Sequence, residues 1–142
     1  MLRQDCCLVT LVAGNNMTRK EVFPFEVRDA ASGATIADIR LSTREYISER
    51  HYKIIESRMR TVDESLVDSE GLVILDPDSQ SAILLKELSI VGHKEAPRHV
   101  NLRQMAELVN ARLITRNAGD RPGIVAYDIT ELGRLFVRDL LS

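Results

Sequence analysis

Tryptophan is absent from this 142-residue chain, and phenylalanine and tyrosine together make up only 4% of it. So few rings leave little material for a carbohydrate platform or for a sheet that stacks on bases. No apolar run approaches the ~20 residues that a membrane helix needs. The segment Leu8-Val9-Thr10-Leu11-Val12-Ala13 is short for the core of a signal peptide, and Arg3 before it is balanced by Asp5. These absences predict a cytoplasmic protein with no membrane partner. The two cysteines are adjacent, Cys6-Cys7, which excludes a disulfide framework and fits a reducing compartment. They read as two small apolar residues at the start of a strand. Gly-rich phosphate loops, G-x-S-x-G and H-E-x-x-H are all missing, so the chain reads as a non-enzyme. His51, His93 and His99 have no ligand at metal spacing, and Asp76-Pro77-Asp78 lacks the glycine and distal glutamate of a calcium loop. Neither a metal nor a cofactor is expected.

What is present is an ordinary supply of core. A 44% apolar share with 28% charge suits one compact domain or two very small ones. Net charge is only -2, but it is segregated. Residues 40–60 hold six basic side chains against three acids, residues 61–80 hold six acids and no base, and residues 81–142 hold nine bases and seven acids. A basic face can therefore coexist with an acidic total.

Residues 8–12 read as a strand, residues 14–16 as a turn, and Met17 as a possible alternative start. Phe23, Phe25 and Val27 then alternate with Pro24, Glu26 and Arg28, a half-buried strand that Pro24 places at an edge. Residues 22–41 form a β-hairpin on this reading. Ser42-Thr43-Arg44-Glu45 has the form of a capping box and predicts a short helix to about Ser48. A second helix is expected over 50–62, with Ile54, Ile55, Met59 and Val62 inward. Arg50, Lys53, Ser57 and Arg60 lie along its opposite stripe. Two short helices with a tight break, the second carrying a basic stripe, make a helix-turn-helix pattern. The run from Ser42 to Glu56 resembles the N-terminal helix-turn-helix of phage regulatory proteins of the Rha type, with Ser48 or Glu49 in place of the turn glycine. That resemblance implies DNA binding and a phage origin.

Residues 61–80 read as an acidic connection with one small strand, Leu72-Val73-Ile74-Leu75. Ser79 or Ser81 caps a helix to about Val91, whose apolar face is read as Ile83, Leu84, Leu88 and Val91. A boundary near residue 78 divides the chain into domains 1–78 and 79–142.

Asn101-Leu102-Arg103-Gln104 predicts a further helix start, with Leu102, Met105, Ala106 and Val109 as its apolar face. A strand at 111–115, a turn-forming run 117–123 with Arg121 at its tip, and a strand 124–129 follow. Thr130 caps a closing helix through Leu141, with Leu132, Leu135, Phe136 and Leu140 as its apolar face. This order is that of a winged helix: recognition helix, strand, wing, strand, helix. Tyr127-Asp128-Ile129-Thr130-Glu131-Leu132-Gly133-Arg134 resembles the Y-x-L-T-x-x-G-R segment behind the wing of PadR- and MarR-type regulators. The resemblance implies DNA recognition by helix and wing.

The expected architecture is thus α+β, a helix-turn-helix with a supporting β-hairpin followed by a small winged-helix module. The expected function is that of a transcriptional regulator bound to double-stranded DNA, with Arg44, Arg50, Lys53, Ser57, Arg60, Arg103, Gln104, Arg116 and Arg121 in contact. A homodimer through Phe136, Leu140 and Leu141 suits such a protein. The competing expectation is a winged-helix adaptor or phage antagonist that binds a protein partner instead of DNA.

Overall fold

The computed structural model of the protein describes residues 18–28, 31–33 and 35–142. The expected strand at 8–12, the turn at 14–16, Cys6-Cys7 and the alternative start at Met17 lie outside them. The fold is α+β, with two antiparallel sheets.

The first sheet is organised by β1 (Arg19–Arg28). It pairs with β2 (Thr35–Ser42), with β3 (Lys53–Ile54) opposite Phe25 and Glu26, and with β4 (Arg60–Asp63) opposite Arg19 to Val22. β1 lies between β2 and β3, so Pro24 is not at an edge as expected. It is tolerated because the β1–β2 register shifts at that point, between Phe23 and Phe25. The Pro24 carbonyl accepts the Ile55 N–H at 3.0 Å.

Helix α1 (Arg44–Glu49) follows β2, one residue off the expected cap: Thr43 Oγ1, not Ser42, accepts the Tyr46 N–H at 3.3 Å. The expected helix over 50–62 does not form. Arg50 caps α1, His51 takes a left-handed φ of 58°, and the chain then runs through β3, a 3-10 turn (Glu56–Arg58) and β4. Ile54, Ile55, Thr61 and Val62 are β-branched, and pairing with β1 satisfies their strand preference. Among the described residues of this half no helix-turn-helix forms.

The acidic stretch that follows is ordered by its own carboxylates. Asp63 caps a 3-10 turn (Glu64–Leu66). Asp68 Oδ1 accepts the N–H groups of Glu70, Gly71 and Leu72 at 2.9, 3.0 and 3.0 Å, and Asp76 Oδ1 accepts that of Asp78 at 2.9 Å. Short-chain carboxylates hold such turns well because they reach backbone donors two to four residues on. Instead of the small strand expected at 72–75, two isolated bridges form, Ser42 with Leu72 and Val67 with Val73.

Helix α2 (Gln80–Val91) is capped by Ser79, whose Oγ accepts the Ala82 N–H at 3.2 Å, and closed by Gly92 at φ 80°. β5 (His93–Pro97) leads through residues 98–101 to α3 (Leu102–Asn110), then to β6 (Ile114–Ala118), β7 (Ile124–Ile129) and α4 (Glu131–Phe136). A π-turn (Val137–Leu141) extends α4. The second sheet has the order β5-β7-β6. Thr130 caps α4 as expected, accepting the Gly133 N–H at 3.0 Å. Asn101 does not cap α3 in the expected way: it sits at φ 53° and makes no side-chain cap bond.

One apolar cluster joins the two halves. Val22, Leu41, Val62, Leu66, Val73 and Leu75 pack with Leu85, Leu88, Leu108, Tyr127, Phe136 and Leu140, among others, so residue 78 falls between segments that share a core. Each fully buried aliphatic side chain there contributes about 2 kcal/mol relative to exposure. A second cluster, under α1, holds Phe23, Phe25 and Ile47 with Tyr46 and Tyr52; the rings of Phe25 and Tyr52 stack at 5.4 Å. Phe136 and Leu140 are buried, so the last helix is not available as the dimer face the sequence suggested.

Candidate nucleic-acid interface

The basic residues of the two halves meet different fates. Arg44 donates to Glu56 at 2.9 Å and lies over the Phe23 ring at 4.8 Å. Arg50 lies over the Tyr46 ring at 3.7 Å, within ion-pair reach of Glu49 and Glu70. Arg60 donates to the Asp139 carbonyl at 3.0 Å. Lys53 and Ser57 are exposed, but on β3 and on the 3-10 turn, so Arg50, Lys53, Ser57 and Arg60 form no common stripe. Three of the five expected contacts in this half are thus committed to the fold itself. The mutual pull of Arg44 and Glu56 shows in their ionisation: the hydrogen bond holds the Arg44 guanidinium above its ordinary value and the Glu56 carboxyl below its own.

Around the β6–β7 turn the arrangement is different. Residues 119–123 reverse the chain: the Gly119 N–H donates to the Ile124 carbonyl at 2.9 Å, and the Ile124 N–H to the Arg121 carbonyl at 3.1 Å. Gly123 takes φ 83°, a region that favours glycine. The Arg98 N–H donates to the Gly123 carbonyl at 2.9 Å and ties the segment before α3 to this turn. Arg98 and Arg116 line one open cleft of about 400 Å³ with Asn117, Gly123 and Ile124. Arg121 stands exposed on the turn, and Arg103 stands exposed in the first turn of α3. The side chains of Arg98, Arg103, Arg116 and Arg121 have no hydrogen-bond or ion-pair partner among the described residues. Gln104 is less free, since its Nε2 donates to Gln80 Oε1 at 3.4 Å.

The strand register separates charge across this sheet. Lys94, Tyr127 and Arg116 are direct neighbours on one face. His93, Asp128 and Glu95 belong to the other. His93 Nδ1 lies 2.7 Å from Asp128 Oδ1 and Nε2 lies 3.6 Å from Glu95 Oε2. Glu95 Oε1 accepts the Asp120 N–H at 3.4 Å. Asp128 chiefly, with help from Glu95, holds the His93 imidazole above its ordinary value against a smaller opposing effect of desolvation. The Asp120 N–H lowers Glu95, whose carboxylate in turn raises Asp120. The sheet thus holds His93, Glu95 and Asp128 on one face and Lys94 and Arg116 on the other.

Arg98 is the member of this group that sequence reasoning missed. Its signal was its place: a cation in the short connection between a strand ending at Pro97 and the helix carrying Arg103. Among the described residues no cluster of three His, Cys, Asp or Glu is arranged to hold a metal, and no helix is long and apolar enough to cross a membrane. Comparison with protein-family models, with curated proteins and with solved structures finds no match for this chain.

Proposed function

We propose that this protein is a DNA-binding regulator that grips duplex DNA with the α3–β6–β7 unit, the 119–123 turn acting as a wing. The observation that carries this reading is the pair of unpartnered guanidiniums, Arg98 and Arg116, lining the cleft beside that turn, with Arg121 exposed on the turn itself. Guanidiniums kept free of internal acceptors are suited to bridging phosphates, and Arg121 at the tip is placed to enter a groove. The order α3, β6, turn, β7, α4 supports this reading. The module departs from a helix-turn-helix in one respect: a single helix, preceded by the tight segment 98–101, stands between β5 and β6. Affinity would rest on phosphates and the wing, with Arg103 as the side chain on α3 best placed for base edges. The acidic His93–Asp128 face sets the side from which the duplex approaches.

Fluorescence anisotropy of the full chain with labelled duplexes tests this. Three phosphate contacts predict an affinity that falls about fortyfold between 50 and 200 mM salt, and each of Arg98→Ala, Arg116→Ala and Arg121→Ala should flatten the salt slope by about one. Thermal midpoints should not move, because these side chains hold nothing in the fold. Absence of duplex binding at low salt would overturn the reading and turn attention to a protein partner.

A further inference from the structure

Two consecutive residues at the start of α2 reach across to α3. Gln80 Oε1 accepts from Gln104 Nε2 at 3.4 Å, and Ser81 Oγ donates to Glu107 Oε1. Ser81 is only 2% exposed, and a hydroxyl so deeply placed needs a partner. Glu107 supplies one that carries a charge, which makes the bond stronger than one between neutral groups. The carboxylate also comes to rest beside the first turn of α2, a helix of 12 residues, where the peptide dipoles favour a negative charge. Glu107 is the only acid in α3, and it stands one turn after Arg103. Residues four apart are neighbours on a helix surface, so a guanidinium and a carboxylate in these positions ordinarily attract each other. Arg103 nevertheless has no hydrogen-bond or ion-pair partner among the described residues. The pair it forgoes is a weak one, exposed to solvent and with the cation ahead of the anion in the chain, the less favourable order.

We infer that Ser81 is a positioning residue: it holds the Glu107 carboxylate against α2 and so keeps it off Arg103, whose guanidinium stays free for the acceptor groups of a ligand. Without the hydroxyl, the carboxylate turns back along α3 to the guanidinium one turn away. Arg103 then loses availability while the charge of the protein is unchanged. The packing of α3 does not hang on this bond, because Met105 and Leu108 are buried beneath it and Gln104 keeps its own contact with α2. That the ligand is duplex DNA rests on the function proposed above; the relationship between Ser81, Glu107 and Arg103 does not.

Two measurements on the full chain test this, each as a cycle between positions 81 and 107. In the free protein, the Nε–Hε NMR signal of Arg103 should shift on Ser81→Ala, and should not when Glu107 is already glutamine, since no carboxylate is then left to pair. A signal that Ser81→Ala leaves in place overturns the inference, as does an equal shift in the Glu107→Gln background. With labelled duplex, Ser81→Ala should weaken binding by about twofold, the size of one exposed helix pair, and in the Glu107→Gln background it should change nothing. A loss of packing alone would weaken binding in both backgrounds and would overturn the inference. Equal affinities of wild type and Ser81→Ala overturn it too, while leaving the proposed function standing. Absence of wild-type duplex binding overturns the proposed function instead, and the NMR cycle then decides the inference by itself.

Discussion

Asp139 Oδ2 accepts the backbone N–H of Asp63 at 2.9 Å, so a carboxylate in the last turn of the fold closes the end of β4. The same carboxylate takes Arg138 Nε at 2.8 Å and Arg19 Nη1 at 3.1 Å, with its side chain only 4% exposed. Asp139→Ala should cost about 2 kcal/mol, the loss of a charge-assisted bond to a half-buried N–H. The two arginines, both largely exposed, add little. Urea denaturation measures it, and a loss below about half a kcal/mol would mean that β4 is held without this bond.

The same residue gives a pH dependence. Burial pushes the Asp139 carboxyl up, but Arg138, the Asp63 N–H and Arg19 together outweigh it and hold the group below its ordinary 3.8. Its contribution is complete above that ordinary value and is lost as pH falls through the lower folded value. The stability gap between wild type and Asp139→Asn should therefore shrink in acid and be flat from neutral pH upward.

His93 behaves in the opposite sense. With its imidazole held above the ordinary 6.5 by Asp128 first and Glu95 second, its contribution is full below 6.5 and lost as pH rises through the folded value. An NMR titration should place the His93 midpoint above 6.5, and Asp128→Asn should bring it down. An unshifted midpoint in the wild type would mean that the 2.7 Å contact does not persist in solution.

Gly133 permits α4 to lie against the start of β6. A Cβ at this position would collide with the Leu113 carbonyl oxygen and lie 2.7 Å from Ile129 Cγ1. The Leu113 carbonyl is fixed by the Thr130 N–H at 3.0 Å and cannot give way cheaply. Gly133→Ala should thus destabilise by about 2 kcal/mol even though alanine is the better helix former. A stabilised variant would contradict the close approach.

Phe136 is fully buried, whereas Leu135 beside it is only half-buried. Phe136→Ala should cost about 4 kcal/mol and Leu135→Ala clearly less than that. Equal losses would mean that α4 is rotated from the orientation described.

Legibility in the sequence followed how local each decision was. Ser79, Thr130 and Gly92 bound their helices through their own backbone neighbourhood, and the β7 strand stands where its pattern put it, at Ile124–Ile129. Residues 50–62 differ from the helix expected because Ile54, Ile55, Met59 and Val62 satisfy a helical period, while the β-branched Ile54, Ile55, Thr61 and Val62 also suit strands. The choice was made by β1, some thirty residues earlier in the chain, which offers them pairing partners. In α2 the apolar face was legible in part: Leu88 is buried and Leu84 packs against the core, but Ile83 and Val91 are exposed and Ala82 and Leu85 are buried in their stead, on the side away from Lys86 and Glu87. At the interface, Arg103, Arg116 and Arg121 were visible as cations near turn formers. Which arginines stay free was not visible, because it depends on acceptors such as Glu56 and the Asp139 carbonyl that only the fold brings near.

The Arg19–Asp139 contact spans 120 residues, and β1 finds its partners both before and after α1. Closing so long a loop gives up chain entropy before any bond repays it, which slows the search for the native state. β1, the first strand among the described residues, is therefore among the last to be fully secured. Until the final helix arrives, β1 has its strand partners but not the Asp139 carboxylate that closes β4 beside it.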